Sequence, residues 1–214
     1  MKHLLGLNPS APAITQYIDS LAKATNVAQI PDIKSYSDVV YINYYPLGIS
    51  LLFTPQNNYK LRTGLKLSEL QQDNLSLDSV DIYNVPKPKD EGGEKPKASR
   101  SELAFTTFPT SPIILPITAR VKDKDGKAIE RPPQLDITLE TSGKDFVEAL
   151  GEPDRKGGGT GPSSGSINIW CEWLNDGVMV EFGGAQAKGP HAWEMGKDAV
   201  WKVITFFQPG SKRE

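Results

Sequence analysis

One cysteine, Cys171, and two histidines, His3 and His191, are all that the chain offers of thiolate and imidazole metal ligands. A single thiol forms no intramolecular disulfide, which points to a reducing compartment, and the cytoplasm is the expected location. No two of these three side chains stand at ligand spacing, so neither a metal site nor a cofactor is expected. Surplus charge is missing too. The formal net charge is −2, whereas reading a phosphate backbone takes clustered Lys and Arg, so no nucleic-acid partner is expected. The one basic cluster, "GSKRE" (210–214), reads as a solvated tail. No apolar run approaches the roughly 18 residues of a membrane span, so no membrane partner is expected. The early prolines of "MKHLLGLNPSAPAI" leave too short an apolar run for a signal peptide. Hydrophobic residues make up 38% of the chain, which supports a core only if the loops stay polar.

What is present is a pattern used twice. "DVVYINYYPLGISLLF" (38–53) and "INIWCEWLNDGVMVEF" (167–182) lie 129 positions apart, and each reads as strand, glycine turn, strand. The parallel extends upstream: Tyr17, Ile18 and Leu21 fall on Phe146, Val147 and Leu150, and Gly48 falls on Gly177. Identities are few, so the likeness is one of hydrophobic position. Each copy opens with a short amphipathic helix. The first starts at Ser10–Pro12 and carries Ile14, Tyr17, Ile18 and Leu21 at helical spacing. The second is capped by Thr141 or Ser142 and ended by Gly151 ahead of Pro153. The loops that follow, "NVAQIPDIKSYS" and "DRKGGGTGPSSGS", read as irregular, the second because of its density of Gly and Pro.

A third strand closes each copy, at 78–85 and 199–207. The expected organisation is a first helix-plus-sheet half (1–85), a flexible charged linker (86–99), additional strands (100–140) and a second half (141–214). These segments can also form one continuous domain. Within 100–140, "ELAFTTF", "PIILPITARV" and "LDITLET" read as strands and "KDKDG" as a hairpin tip. The fold class is α+β, with two related halves, each a short helix packed on an antiparallel sheet.

Alternation along the strands sorts the faces. One face holds Val40, Ile42, Tyr44, Ile49, Leu51 and Phe53, matched by Ile169, Cys171, Trp173, Val178, Val180 and Phe182. That face is expected to meet the helix, with Cys171 as a small inert hydrophobe. The other holds Tyr41, Asn43 and Tyr45 with Ser50 and Leu52, matched by Trp170, Glu172 and Leu174 with Met179 and Glu181. It is either an open contact surface or a second core covered by the 102–141 segment. Aromatics and Met bring large contact area at low entropy cost, so Tyr41, Asn43, Tyr45, Trp170, Glu172, Met179 and Trp193 are the candidate binding residues.

Catalytic motifs are scarce. "GPSSGS" lacks the strand before and helix after that a nucleophile elbow needs. "GGGTG" lacks the Lys-Ser/Thr pair of a phosphate cradle. The best acid–base set is Glu172 with Glu181, two carboxylates near an apolar wall, with His191 in a loop that could fold over them.

"KDFVEALGEPD" leading into "INIWCEWLNDGVMVEF" and "VWKVITFF" resembles the tandem module of the β-lactamase inhibitory protein and of small outer-membrane-assembly lipoproteins. The resemblance is one of pattern and covers about half the chain. It implies a sheet whose aromatic face meets a protein partner, without catalysis. The chain departs from that group in its large middle insertion and single cysteine. The expectation is therefore a non-enzymatic binding protein for a protein or polymer partner. The alternative is a small-molecule site, or a hydrolase- or isomerase-type enzyme, with Glu172 and Glu181 between the halves. A homodimer through the same face is a third reading.

Overall fold

Proline at the first helical position has a pre-set φ and no amide to lose, so α1 (Pro12–Thr25) begins where the sequence places it. It ends at Asn26 in the left-handed region, φ 53°. The computed structural model describes residues 1–85, 104–118, 120–122, 126, 128–161 and 165–210. The expected linker, 86–99, lies outside the described residues, as does most of the "KDKDG" tip. The chain is α+β and forms two units, Met1–Pro109 with Phe206–Gln208, and Thr110–Thr205 with Pro209–Glu214. The division falls inside the 100–140 segment, so Phe105 and Phe108 belong with the first unit. Among the described residues no helix is long and apolar enough to cross a membrane.

In the first unit, β1 (Asp32–Ser35), β2 (Val40–Tyr44), β3 (Ile49–Pro55) and β4 (Leu75–Tyr83) lie side by side in that order, each antiparallel to its neighbour. Strand β1 corrects the reading of 26–37 as irregular. Its four residues contain one large apolar side chain, too little alternation to detect locally, and pairing with β2 supplies the rest. Ile14, Ile18 and Leu21 of α1 are buried, as are Val40, Ile42, Ile49, Leu51, Phe53, Val80 and Ile82 on the strands. Burial, with a smaller contribution from Asp19 of α1, pushes the Tyr44 hydroxyl pKa up. The β2–β3 connection is a tight turn over Tyr45–Leu47 closed by Gly48 at φ 58°. A Cβ there would stand 2.3 Å from the Thr106 carbonyl oxygen, so glycine is required twice over.

The second unit holds β5 (Ile113–Pro116) paired with β8 (Gln134–Ile137), and β6 (Arg120–Lys122) paired with β7 (Ala128–Glu130). "PIILPITARV" is thus broken into two strands that join different partners. "ELAFTTF" forms no strand among its described residues. Then come α2 (Gly143–Leu150), β9 (Arg155–Gly161), β10 (Gly165–Trp173), β11 (Val178–Phe182), the single-turn α3 (Ala192–Met195) and β12 (Trp201–Phe207), with strands in the order β9-β10-β11-β12. Asp145 Oδ2 accepts the Ser142 N–H at 2.7 Å, which sets the start of α2. Phe146 of α2 lies 6.2 Å from the Trp173 ring and 6.1 Å from Phe182. The helix therefore covers the Ile169–Cys171–Trp173 face, whose members are all buried.

Strand β9 overturns the expectation that 154–166 cannot be regular. Glycine is a poor strand former by itself, but three in a row are tolerated where neighbours need the room. The β10 chain bulges between Ile167 and Trp170, and Gly158 faces the bulge at φ 89°. A Cβ on Gly158 would stand 2.1 Å from the Asn168 carbonyl oxygen. The two hairpins share a register under the 129-residue offset: Asn43 faces Ser50 and Tyr44 faces Ile49, while Glu172 faces Met179 and Trp173 faces Val178.

Candidate functional site

Alternation puts Asn168, Trp170 and Glu172 of β10 on the face turned away from α2, with Met179 and Glu181 of β11 beside them. Trp170 is directly opposite both Gly157 of β9 and Glu181 of β11. The absence of a side chain at 157 lets the indole lie across β9, since a Cβ there would be 2.7 Å from its ring. Trp170 and Met179 are half-buried. Together they make an apolar platform already fixed by the strands.

The two carboxylates do not share a cation. Glu172 is 3% exposed, and its Oε2 stands 3.5 Å from Arg155 Nη1 across the β9–β10 pair. That oxygen makes no hydrogen bond among the described residues, nor does Asn168 Oδ1. Glu181 Oε1 accepts from Asn168 Nδ2 at 2.5 Å and from Lys202 Nζ at 3.1 Å. Because Glu172 pairs in register with Met179 and Glu181 with Trp170, the carboxylates are diagonal rather than direct neighbours. Each is held by its own counterion.

His191 and Trp193 lie elsewhere. His191 is at the start of α3, its Nδ1 3.1 Å from Glu194 Oε2, and both side chains are exposed. Trp193 Nε1 would be 3.4 Å from a Cβ on Gly159, and Lys156 Nζ is 5.6 Å from the Trp193 ring centroid. Lys156 pairs with Cys171 and Gly157 with Trp170, and successive strand residues point to opposite faces. Trp170 and Trp193 therefore lie on opposite faces of the β9–β10 pair, and the structure does not bring the His191 loop over Glu172. The Ile169 Cδ1 contact with Gly196, just after α3, places that helix on the same side as Cys171.

In the first unit the corresponding face is divided. Tyr41 is half-buried and meets Tyr36 edge-on at 6.1 Å. Asn43 is 5% exposed, and Ser50 Oγ donates to its Oδ1 at 2.7 Å. Tyr45 donates its hydroxyl to Asp32 Oδ2 at 2.9 Å, and its ring lies 4.6 Å from Phe105. Phe105 in turn stacks on Tyr83 at 3.8 Å. The 104–108 segment thus covers the Tyr45 end of this face and leaves Tyr41 half-buried. Hydrogen bonding of Lys34 itself with Tyr45 raises the Lys34 pKa, with smaller help from Asp32. Sequence reading missed Arg155, Asn168 and Lys202 as neighbours of the carboxylates, and only the cross-strand register could have found them.

Burial pushes the Cys171 thiol up to about 11, which removes nucleophilic thiolate near neutrality. Among the described residues no group of three His, Cys, Asp or Glu side chains could hold a metal ion. No protein-family model matches the chain, and no curated protein or solved structure matches it.

Proposed function

We propose that the protein is a non-enzymatic binding protein that engages a protein or polymer partner through the Trp170 face of its second unit. The observation that carries this reading is the Trp170 indole laid over Gly157 beside half-buried Met179, an aromatic platform that needs no rearrangement before contact. Arg155 and Lys202 neutralise the two carboxylates that flank it, so burying the face in an interface strands no unpaired charge. The pattern shared with the β-lactamase inhibitory type of module supports the same use of a sheet, and a single cysteine suits a cytoplasmic setting. The hydrolase or isomerase reading is weaker, because Glu172 and Glu181 are held by separate cations and His191 pairs with Glu194.

The test is a screen of soluble polysaccharides and a displayed random-peptide library against wild type, Trp170→Ala and Glu181→Gln. Binders lost in Trp170→Ala and kept in Glu181→Gln support the reading. An absence of binders, or turnover of any member that Glu181→Gln abolishes, overturns it.

A further inference from the structure

Helix α3 is built inside out. Of its four residues, Ala-Trp-Glu-Met, only Ala192 is buried. Trp193 and Met195, its two large apolar side chains, are 45% and 48% exposed. A surface turn of a protein that meets only water would do the reverse, burying the side chains with the most apolar area. The segment is instead docked through its small residues. Gly196, next in the chain, lies so close to Ile169 that a Cβ there would stand 2.3 Å from Ile169 Cδ1. A third apolar side chain joins the display. Ile167 is 50% exposed and pairs with Gly159, whose Cβ position is 3.4 Å from Trp193 Nε1. Gathered apolar groups of this kind mark contact surfaces, whereas scattered ones are ordinary.

Both signs of charge surround the patch. Lys156 Nζ is 5.6 Å from the Trp193 ring centroid, and Lys188 precedes Gly189, whose carbonyl oxygen is 3.9 Å from the Gly159 Cβ position. Both lysines are exposed, and neither has a carboxylate within ion-pair distance among the described residues. Glu194 stands between Trp193 and Met195, 78% exposed, and meets His191. Glu152 is exposed too, and both it and Lys156 act electrostatically on the Cys171 thiol, the register partner of Lys156. A rim of one sign selects a partner of the other sign. A mixed rim around an apolar centre is matched by a second copy of itself, because a two-fold contact sets each copy's lysines against the other's carboxylates.

We propose that this patch is the interface of a homodimer. Trp193, Met195 and Ile167 of the two copies form its apolar centre, and Lys156 and Lys188 of one copy face Glu152 and Glu194 of the other. Trp and Met are enriched at the centres of such contacts, and charged side chains are kept to their rims. The backbone edge of β9 takes no part, since Gly159 is buried beside Trp193. Trp170 lies on the opposite face of the β9–β10 pair. The dimer therefore leaves both Trp170 platforms uncovered, and it stands or falls whether or not they bind a partner.

The test is sedimentation equilibrium on the full chain across a wide concentration range, with circular dichroism to confirm that each variant is folded. The wild-type mass is expected to rise with concentration to twice that of one chain. Trp193→Ser with Met195→Ser should raise the dissociation constant about thirtyfold or more, the loss typical of a central anchor. An acidic rim (Lys156→Glu with Lys188→Glu) and a basic rim (Glu152→Lys with Glu194→Lys) should each weaken self-association. An equal mixture of those two variants should pair more tightly than either does alone. A mass of one chain at every concentration, or a doubling that survives the loss of Trp193 and Met195, overturns the proposal. So does a mixture no heavier than its components, or a dimer abolished by Trp170→Ala.

Discussion

Arg131 and Asp176 form an ion pair in which the two side chains are 3% and 2% exposed. Asp176 also accepts the Thr118 N–H at 3.3 Å, and Arg131 Nε donates to the Ala149 carbonyl at 3.4 Å. The "LNDG" turn is thereby tied to the chain before β6, to the chain after β7 and to the end of α2, all within the second unit. Removing one partner leaves a buried charge without compensation, so Asp176→Ala should cost about 3–5 kcal/mol. The double variant Arg131→Met with Asp176→Leu should recover most of that loss. Urea midpoints at constant slope measure both. A single variant as stable as wild type would show that the pair is not buried.

Phe105 is a second hidden support. It is 7% exposed, stacked on Tyr83 and edge-on to Tyr45. Truncation to alanine removes a large buried ring, and Phe105→Ala should lose about 3–5 kcal/mol. Tyr45 should then become more accessible, which tyrosine nitration mapped by mass spectrometry would reveal. Unchanged nitration of Tyr45 would mean that the 104–108 segment does not cover it.

Gly157→Ala tests how the Trp170 platform is placed. The added Cβ would meet the rigid indole at 2.7 Å, so the ring must move. Overpacking of this kind typically costs about 1–3 kcal/mol. The expected NMR signature is a large shift in one of the four indole N–H resonances, the one lost in Trp170→Ala. Four unmoved resonances would place the ring elsewhere.

Cys171 links stability to alkaline pH. Burial raises its folded pKa from 9.0 to about 11. The raised value means that the folded state holds its proton where the unfolded state has lost it. The contribution is therefore fully present below pH 9 and is lost as pH rises towards 11. Tyr17 and Tyr44, also raised by burial, act in the same direction. Cys171→Ala should be less stable near neutrality and should lose less than wild type between those limits. Thermal melts across that range decide it, and identical pH slopes would refute it.

The amino-acid order by itself determined the two helix starts, both hairpins with their turn glycines, and the apolar alternation that separates a buried face from a mixed one. These features depend on near neighbours in the chain: Pro12 and Ser142 at helix starts, Gly48 and Gly177 at positive φ, and period-two spacing in Val40–Tyr44 and Val178–Phe182. The strand nature of β9 was hidden, because three glycines disfavour a strand until Trp170, the β10 bulge and Trp193 give each of them a reason. Pairing partners far apart in sequence were hidden for a similar reason. Arg131 with Asp176, Arg155 with Glu172, Lys202 with Glu181 and Phe105 with Tyr45 are joined only by tertiary register. Local pattern shows which side of a strand is apolar, but charge compensation is settled between strands. Tertiary structure alone decided that the two carboxylates of the mixed face are separately paired and that Trp193 lies on the opposite face from Trp170.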